Sequence, residues 1–404
     1  MFEAVHVTRD HDDCGKLPWT MRIFILGTGA TGSLLAKLLA RQGYRVSCGD
    51  RDPERASLFL GSVSTIPVRR VNARDIRQIV AAARGSHFLV NACPAVFNKI
   101  VMRAALRMRV DYLDSATHMT GSPFRAEQLR FDEQFQKRGR AAVITAGAAP
   151  GLTNLLTAAA ADQLDTVKAV QVRLFESTES DDPVSQWSAE VSFDEAVSRP
   201  RVYRNGRFRL GQRFGERELF RFPAPIGSVP VVLAAQDEVV SSPHVIPMLH
   251  MDAKIGGSDM DRLRRWYRQG KLRKSRGPAA FRFPRTPTPK TVEQMVRQGV
   301  LRNARFAVAV VVTGDRSGQP VRIRWDATMP SLHTLHRRGE MRSPIAWATA
   351  QMMALFVKHF PKELLGVHPP EEWPLEVRRA ILRDARVRGM RIIKRISTLE
   401  SSSR

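Results

Sequence analysis

The sequence predicts an α/β protein, a doubly wound parallel sheet followed by a second, α+β domain built on a mixed sheet. Three observations carry this. Short apolar runs alternate with helical patterns from residue 22 to about residue 145, as in a parallel sheet covered on both faces. A glycine-rich turn, Gly27-Thr28-Gly29-Ala30-Thr31-Gly32, joins the first run to the first helix. After about residue 160 the pattern changes to longer strands and hairpin signals.

The elements follow in order. Residues 22–26 read as a strand, the alanine- and leucine-rich run after Gly32 as a helix, and Tyr44 to Asp50 as a second strand. Thr65–Arg70 is a short strand and Ala73–Ala83 a helix. His87–Val90 is a strand that ends at Asn91-Ala92-Cys93-Pro94, before a helix near Val96–Arg107. Val110–Leu113 is a strand ending at Asp114, then come a helix over about Ala126–Lys137 and a strand at Ala141–Thr145. In the second half, strands are expected at Val167–Phe175, Val229–Ala234, Ala307–Val312 and Val321–Trp325. Asn205-Gly206 marks a hairpin, because both residues tolerate the positive φ of a type I′ turn. A basic insertion over 257–305 holds a helix at Asp261–Gln269, a proline-rich linker at Gly277–Pro289 and a helix at Thr291–Leu301. Helices at Pro344–His359 and Leu375–Arg388 close the chain. The expected domains are a disordered leader (1–20), a nucleotide domain (21–150), a substrate and oligomerisation domain (151–330), returning helices (331–395) and a disordered tail (396–404).

Composition narrows the class. With 43% hydrophobic residues the chain is globular. Its three cysteines, Cys14, Cys48 and Cys93, give neither a disulfide framework nor metal spacing, and they point to a cytoplasmic setting. No apolar stretch reads as a membrane span and no signal-peptide pattern is present. The net charge of +25 is concentrated in two segments, 261–305 with +12 and 374–395 with +6. These read as solvated helix faces in preference to a nucleic-acid or other polyanion surface, since no nucleic-acid-binding motif accompanies them.

The glycine turn carries the chemistry. Gly27 permits the tight turn, Gly29 lets a pyrophosphate approach the backbone, and Gly32 lets the helix pack closely on the strand. The helix then aims bare N–H groups at the phosphates. Asp50, at the end of the second strand, stands where an acid accepts hydrogen bonds from an adenosine ribose. The unit reads as a Rossmann dinucleotide site of Gly27, Thr28, Gly29, Ala30, Thr31, Gly32, Asp50 and Arg51, with Asn72, Asn91 and Ala92 at neighbouring strand ends. The acid at Asp50 favours NAD, although Arg51 beside it could pair with the extra phosphate of NADP.

Later motifs add a resemblance. Asn91-Ala-Cys-Pro94 and Val110-Asp-Tyr-Leu-Asp114 are followed by Gly147-Ala-Ala-Pro150-Gly151-Leu152-Thr153-Asn154. Then come Trp187-Ser188 with Asp194-Glu195, the Asn205-Gly206 hairpin, Phe222-Pro, and Gly366-Val-His-Pro369-Pro370-Glu371. In this order the chain resembles the saccharopine dehydrogenase-like oxidoreductases from about residue 22 to about residue 375. The resemblance implies a nucleotide domain completed by C-terminal helices and a middle domain that supplies the substrate pocket and often a subunit interface, hence a homodimer. It also implies NAD(P)-linked hydride transfer at a carbon–nitrogen bond of an amino-acid-like or polyamine-like small molecule. The 257–305 insertion has no counterpart in the resemblance.

Four residues are candidates for acid–base work. His118 lies beyond the strand ending at Asp114, on the binding edge, and imidazole is the side chain type suited to proton transfer near neutral pH. Asp114 could orient it. Cys93 and Glu238 complete the set, with Asp237 beside Glu238. Trp187 could wall the pocket or fill a core, and Arg201 and Arg204 are candidates to hold a substrate carboxylate. No metal site is expected. The rival readings are a carbonyl reductase on the same scaffold and a non-catalytic, dinucleotide-responsive protein that binds a polyanion through 257–305.

Overall fold

The computed structural model describes residues 21–62, 64–119, 122–185, 188–272 and 283–399. The leader, Trp187, the first part of the proline-rich linker and the end of the tail lie outside the described residues.

Strands β1 (Arg22–Leu26), β2 (Arg45–Asp50), β3 (Val68–Arg70), β4 (Phe88–Asn91), β5 (Asp111–Asp114) and β6 (Ala141–Val143) form one parallel sheet. A seventh strand, Gly366–His368, arrives from far down the chain and pairs with β6. The order is therefore Gly366–His368, β6, β5, β4, β1, β2, β3. β1 is central, and its residues from Ile23 to Leu26 are almost wholly buried. Ile23 and Ile25 face one layer with Leu35, Leu39 and Phe356. Phe24 and Leu26 face the other with Ile79, Val101 and Tyr112. Helices at Ala30–Arg41 and Pro344–Lys358 thus cover one face, and helices at Ile76–Ala82 and Asn98–Met108 the other. Reversal of strand order at β1, between β4 and β2, opens a crevice at the carboxyl ends of the strands.

The second sheet has nine strands and is mixed. It uses β7 (Thr166–Ser180), β8 (Arg201–Arg204), β9 (Arg207–Leu210), β10 (Glu218–Phe222), β11 (Gly227–Leu233), β12 (His250–Gly256), β13 (Leu301–Arg316) and β14 (Gln319–Thr328). With β15 being Gly366–His368, the last strand is β16 (Arg391–Thr398). β12 runs parallel to β7, while β13, β14 and β16 pair antiparallel. β16 corrects the expectation of returning helices that give way to a tail at 396. Its register puts Ile392 and Ile393 opposite Ala327 and Asp326 of β14, and its charged outer residues suit an edge strand. β13 also begins six residues before the expected strand, at the point where the insertion's second helix was expected to end.

The turn at Gly147–Asn154 and the late segment at Gly366–Glu371, far apart in sequence, meet in a buried polar cluster. Asn154 accepts a hydrogen bond from the Gly151 N–H at 2.7 Å and donates to Ser241 at 2.9 Å and to Glu371. Ser241 and Ser242 also donate to Glu371, at 3.0 and 2.6 Å. Gly151 has φ of 123°, and a Cβ there would fall 2.0 Å from the Gly147 carbonyl oxygen. Glu371 is 5% exposed, and burial raises its pKa above the usual carboxyl range. Removing this carboxyl leaves three buried donors facing a void. Glu371→Ala is expected to cost about 3 kcal/mol and lower the melting temperature, with Glu371→Gln much milder; a thermal melt of the two variants checks this.

Candidate functional site

A cavity of about 960 Å³ lies across the crevice of the parallel sheet. Its floor is the glycine turn. Gly27 has φ of 95°, and a Cβ there would sit 2.7 Å from the Ala92 backbone. A Cβ on Gly32 would fall 1.9 Å from the Gly27 carbonyl oxygen. Gly29 is different, since a Cβ there would meet nothing within 4 Å, so its face looks into the cavity. The helix Ala30–Arg41 has no side-chain N-cap and no acid in its first turn. Its free N–H groups and positive end are left for an anion. Turn, open face and uncapped helix together fit the pyrophosphate of a dinucleotide.

Thr28, Ala30, Thr31, Asp50, Arg51, Asn72 and Ala92 all line this cavity. Asp50 accepts from the Thr28 N–H at 2.7 Å and the Asp52 N–H at 3.0 Å, so it braces the glycine turn as well as facing the site. Asn91 does not line the cavity. It is 1% exposed, donates to Asn98 at 2.8 Å and accepts from the Cys93 N–H at 3.1 Å. Its part is to fix the turn that brings Ala92 and Cys93 to the wall. Several residues of the wall were not singled out from the sequence, among them Arg55, Val191, Phe283 and Arg285.

The four acid–base candidates separate. Cys93 lines the cavity, but burial pushes its thiol up to about 12, so it stays a neutral wall residue near neutral pH. Asp114 does not line it. Tyr112 donates to Asp114 at 2.9 Å, Gln128 at 3.2 Å and the Thr145 N–H at 3.0 Å, which ties β5 to the end of β6. Burial raises Asp114 to about 7. Glu238 is fully buried, accepts from Thr153 at 2.6 Å, and is raised by burial to about 7. Its second oxygen has no hydrogen-bond partner among the described residues. His118 is half-buried, close enough to Asp237 to act on its charge. Asp237 accepts from the Thr117 N–H at 2.8 Å, just past Ser115 and Ala116 of the cavity wall.

These contacts reveal a row of carboxyls. Glu195 lies within electrostatic reach of Glu176, Asp237 and Glu238, and burial raises its pKa well above the usual range. Burial and the Asp259 charge raise Glu176 too. Glu176, Glu195 and Ser185 line a small cavity of about 20 Å³, room for a single water-sized group. Phe283 lines both this cavity and the large one, so they are neighbours across one ring. No ion pair with Glu176, Glu195, Asp237 or Glu238 is found among the described residues. Arg201 stands near Asp237, while Arg204 is taken up by Glu216 and Asp252 at 2.9 and 2.8 Å. The described residues hold no cluster of three or more metal-ligating groups.

The glycine geometry gives a paired prediction. Gly29→Ala leaves the melting temperature nearly unchanged yet weakens NAD(P)H binding by about tenfold or more, whereas Gly32→Ala lowers both. Fluorescence titration and thermal melts check the pair. A second prediction concerns pH. A carboxyl whose folded pKa lies above its unfolded value stabilises the fold fully below the unfolded value, and that contribution is lost as pH rises through the folded one. For Glu238 the window runs from 4.5 to about 7. Stability therefore falls across this range, and Glu238→Gln makes the fall shallower in melts recorded as a function of pH.

Comparison with known proteins agrees with this geometry. Residues 23–143 match the family described as the saccharopine dehydrogenase NADP binding domain. Carboxynorspermidine synthase of Vibrio cholerae serotype O1 is 27% identical over 179 residues, which span 38% of this chain and 43% of that protein. The structure of apo saccharopine dehydrogenase (L-Glu forming) from Saccharomyces cerevisiae superposes with a TM-score of 0.68 at 12% identity, covering 93% of this chain and 100% of that one. No described helix is long and apolar enough to cross a membrane. Residues 23–143 are thus similar to the saccharopine dehydrogenase NADP binding domain and form a site for NAD or NADP, in a chain that has the saccharopine dehydrogenase fold.

Proposed function

We propose that the protein is an NAD(P)-dependent oxidoreductase that transfers hydride at a C–N bond of an amine-bearing small molecule. The observation that carries this is the row of Glu176, Glu195, Asp237 and Glu238, which adjoins the cavity wall where Asp237 accepts from the Thr117 N–H next to Ser115 and Ala116. In a Rossmann crevice the end beyond Cys93, Ser115 and Ala116 is where a nicotinamide ring falls. The bound cofactor supplies the hydride. The protein's share is to position the substrate and manage its charge and proton. A protonated imine is cationic, and nearby carboxylates stabilise it. An acid of the row that gives its proton to an imine is left as a carboxylate beside the cationic iminium, and this attraction is what favours C–N over C=O chemistry.

Glu195 and Asp237 are the groups assigned to proton transfer. Burial makes both hold a proton more tightly than an ordinary carboxyl; in its protonated form either can give a proton to an imine nitrogen, and in its ionised form either can take one from an amine before oxidation. Arg201, next to Asp237, is assigned to a substrate carboxylate. Cys93 shapes the wall, and Asp114 and His118 support the β5 end. Four arginines of the basic insertion are ion-paired, Arg262 with Asp259 and Arg297 with Glu293 inside it, Arg302 with Asp181 and Arg305 with Glu179 beyond it. This favours an enzyme over a polyanion-binding protein. A homodimer and a cytoplasmic setting complete the reading.

The test is a turnover panel of amines, carbonyls and mixtures of the two, followed by nicotinamide absorbance. Oxidation of NAD(P)H is expected only where amine and carbonyl are both present, or the reverse reaction with the secondary amine. Glu195→Gln and Asp237→Asn are expected to lower kcat/KM by about a hundredfold with cofactor affinity unchanged. Turnover of a carbonyl alone at the same rate contradicts the reading.

A further inference from the structure

One part of the cavity wall comes from an unexpected place. Phe283, Arg285 and Thr286 belong to the basic insertion, yet they line the cavity floored by the glycine turn. Thr286 accepts a hydrogen bond from Arg55 at 2.8 Å, which ties the insertion to the helix that follows Asp50. Arg51, Arg55 and Arg74 line the same cavity from the nucleotide domain. Arg55 lies 5.2 Å above the Phe59 ring and Arg74 5.8 Å above that of Phe97. Among the described residues none of these four arginines is paired with a carboxylate. The two acids at this end are already engaged. Asp50 holds two backbone N–H groups, and Asp52 caps the helix through the Arg55 N–H at 3.0 Å.

Four guanidinium groups against two engaged carboxylates is more positive charge than a pyrophosphate alone requires. A phosphate monoester on the ribose brings close to two further negative charges at neutral pH. It also offers three acceptor oxygens to forked donors. We infer that the basic insertion completes the cofactor site: Arg285, reaching from the second domain, joins Arg51, Arg55 and Arg74 to hold a phosphate on the adenosine ribose, so that NADP(H) binds in preference to NAD(H). The inference rests on the dinucleotide site and is independent of the C–N chemistry, so either can fail alone. It gives the insertion a role in binding, and it makes the second domain part of cofactor selection.

The full-length chain is titrated with NADPH and NADH by fluorescence, and competition with 2′,5′-ADP and 5′-AMP isolates the ribose phosphate. Wild type is expected to prefer NADPH, and 2′,5′-ADP over 5′-AMP, by about tenfold or more. Arg285 is exposed, so Arg285→Ala should fold normally. It is expected to lose about tenfold in affinity for NADPH and 2′,5′-ADP and under about twofold for NADH and 5′-AMP. Arg285→Lys should recover part of the loss. Arg297→Ala, in the same insertion but outside the cavity lining, should change neither affinity. Equal binding of the two cofactors by wild type overturns the inference. So does an Arg285→Ala variant that binds NADPH normally, or one that loses NADH and NADPH equally, which would place Arg285 on the pyrophosphate.

Discussion

The carboxyl of Glu371 is the point on which the architecture turns. It is buried where three segments meet, each of which needs it. Asn154 opens the helix that leaves the nucleotide domain, Ser241 and Ser242 lie on the helix that follows β11, and Glu371 itself follows β15. Asp237 and Glu238 begin that second helix. Its anchoring at Glu371 therefore sets where those acids stand relative to Ser115 and Thr117 at the end of β5. Gly151 makes the junction possible, because its φ and its closeness to Gly147 exclude a side chain. This junction holds the Asp237 and Glu238 end of the acid row in place.

The acid row is costly to keep. Carboxyls withdrawn from water without a cation pay desolvation on every charge, and like charges nearby add to it. The protein answers by holding protons: Glu195 and Glu238 lie above the usual carboxyl range, and Glu238 keeps an oxygen with no partner among the described residues. A cluster that lowers stability and stands beside a cofactor-sized cavity is the kind of feature associated with chemistry. A cationic substrate would relieve the repulsion on binding, so part of the stored cost becomes binding energy. Arg51, Arg55, Arg74 and Arg285 line the neighbouring large cavity, which therefore carries positive charge of its own.

What the sequence made legible was local. The strand, glycine turn, helix and Asp50 form one continuous unit, and each residue type is required by its own backbone. The same holds for Asn205-Gly206, where both residues adopt positive φ between β8 and β9. Pairings made over long distances were less legible. β15 reads as a few apolar residues in a loop until β6 is beside it, and the charged β16 reads as a tail until β14 is. Asn91 and Asp114 sit at the right strand ends, but their side chains turn inward to hold the turns, which strand position alone does not reveal. Glu195 stood inside a motif without an assigned role, since its chemistry comes from Glu176, Asp237 and Glu238, all distant in sequence. Arg285 was hidden for the same reason, since Arg51, Arg55 and Arg74, which line its cavity, are distant in sequence.

A structure of the protein with NADP⁺ bound tests the central claim most directly. The account predicts the pyrophosphate over Gly29 and the start of the following helix, and the ribose phosphate among Arg51, Arg55, Arg74 and Arg285. It also predicts the nicotinamide ring against Cys93, Ser115 and Val191, with its reactive carbon facing the space bounded by Glu195 and Asp237. A nicotinamide ring directed away from those carboxyls, or a dinucleotide bound outside this cavity, contradicts it.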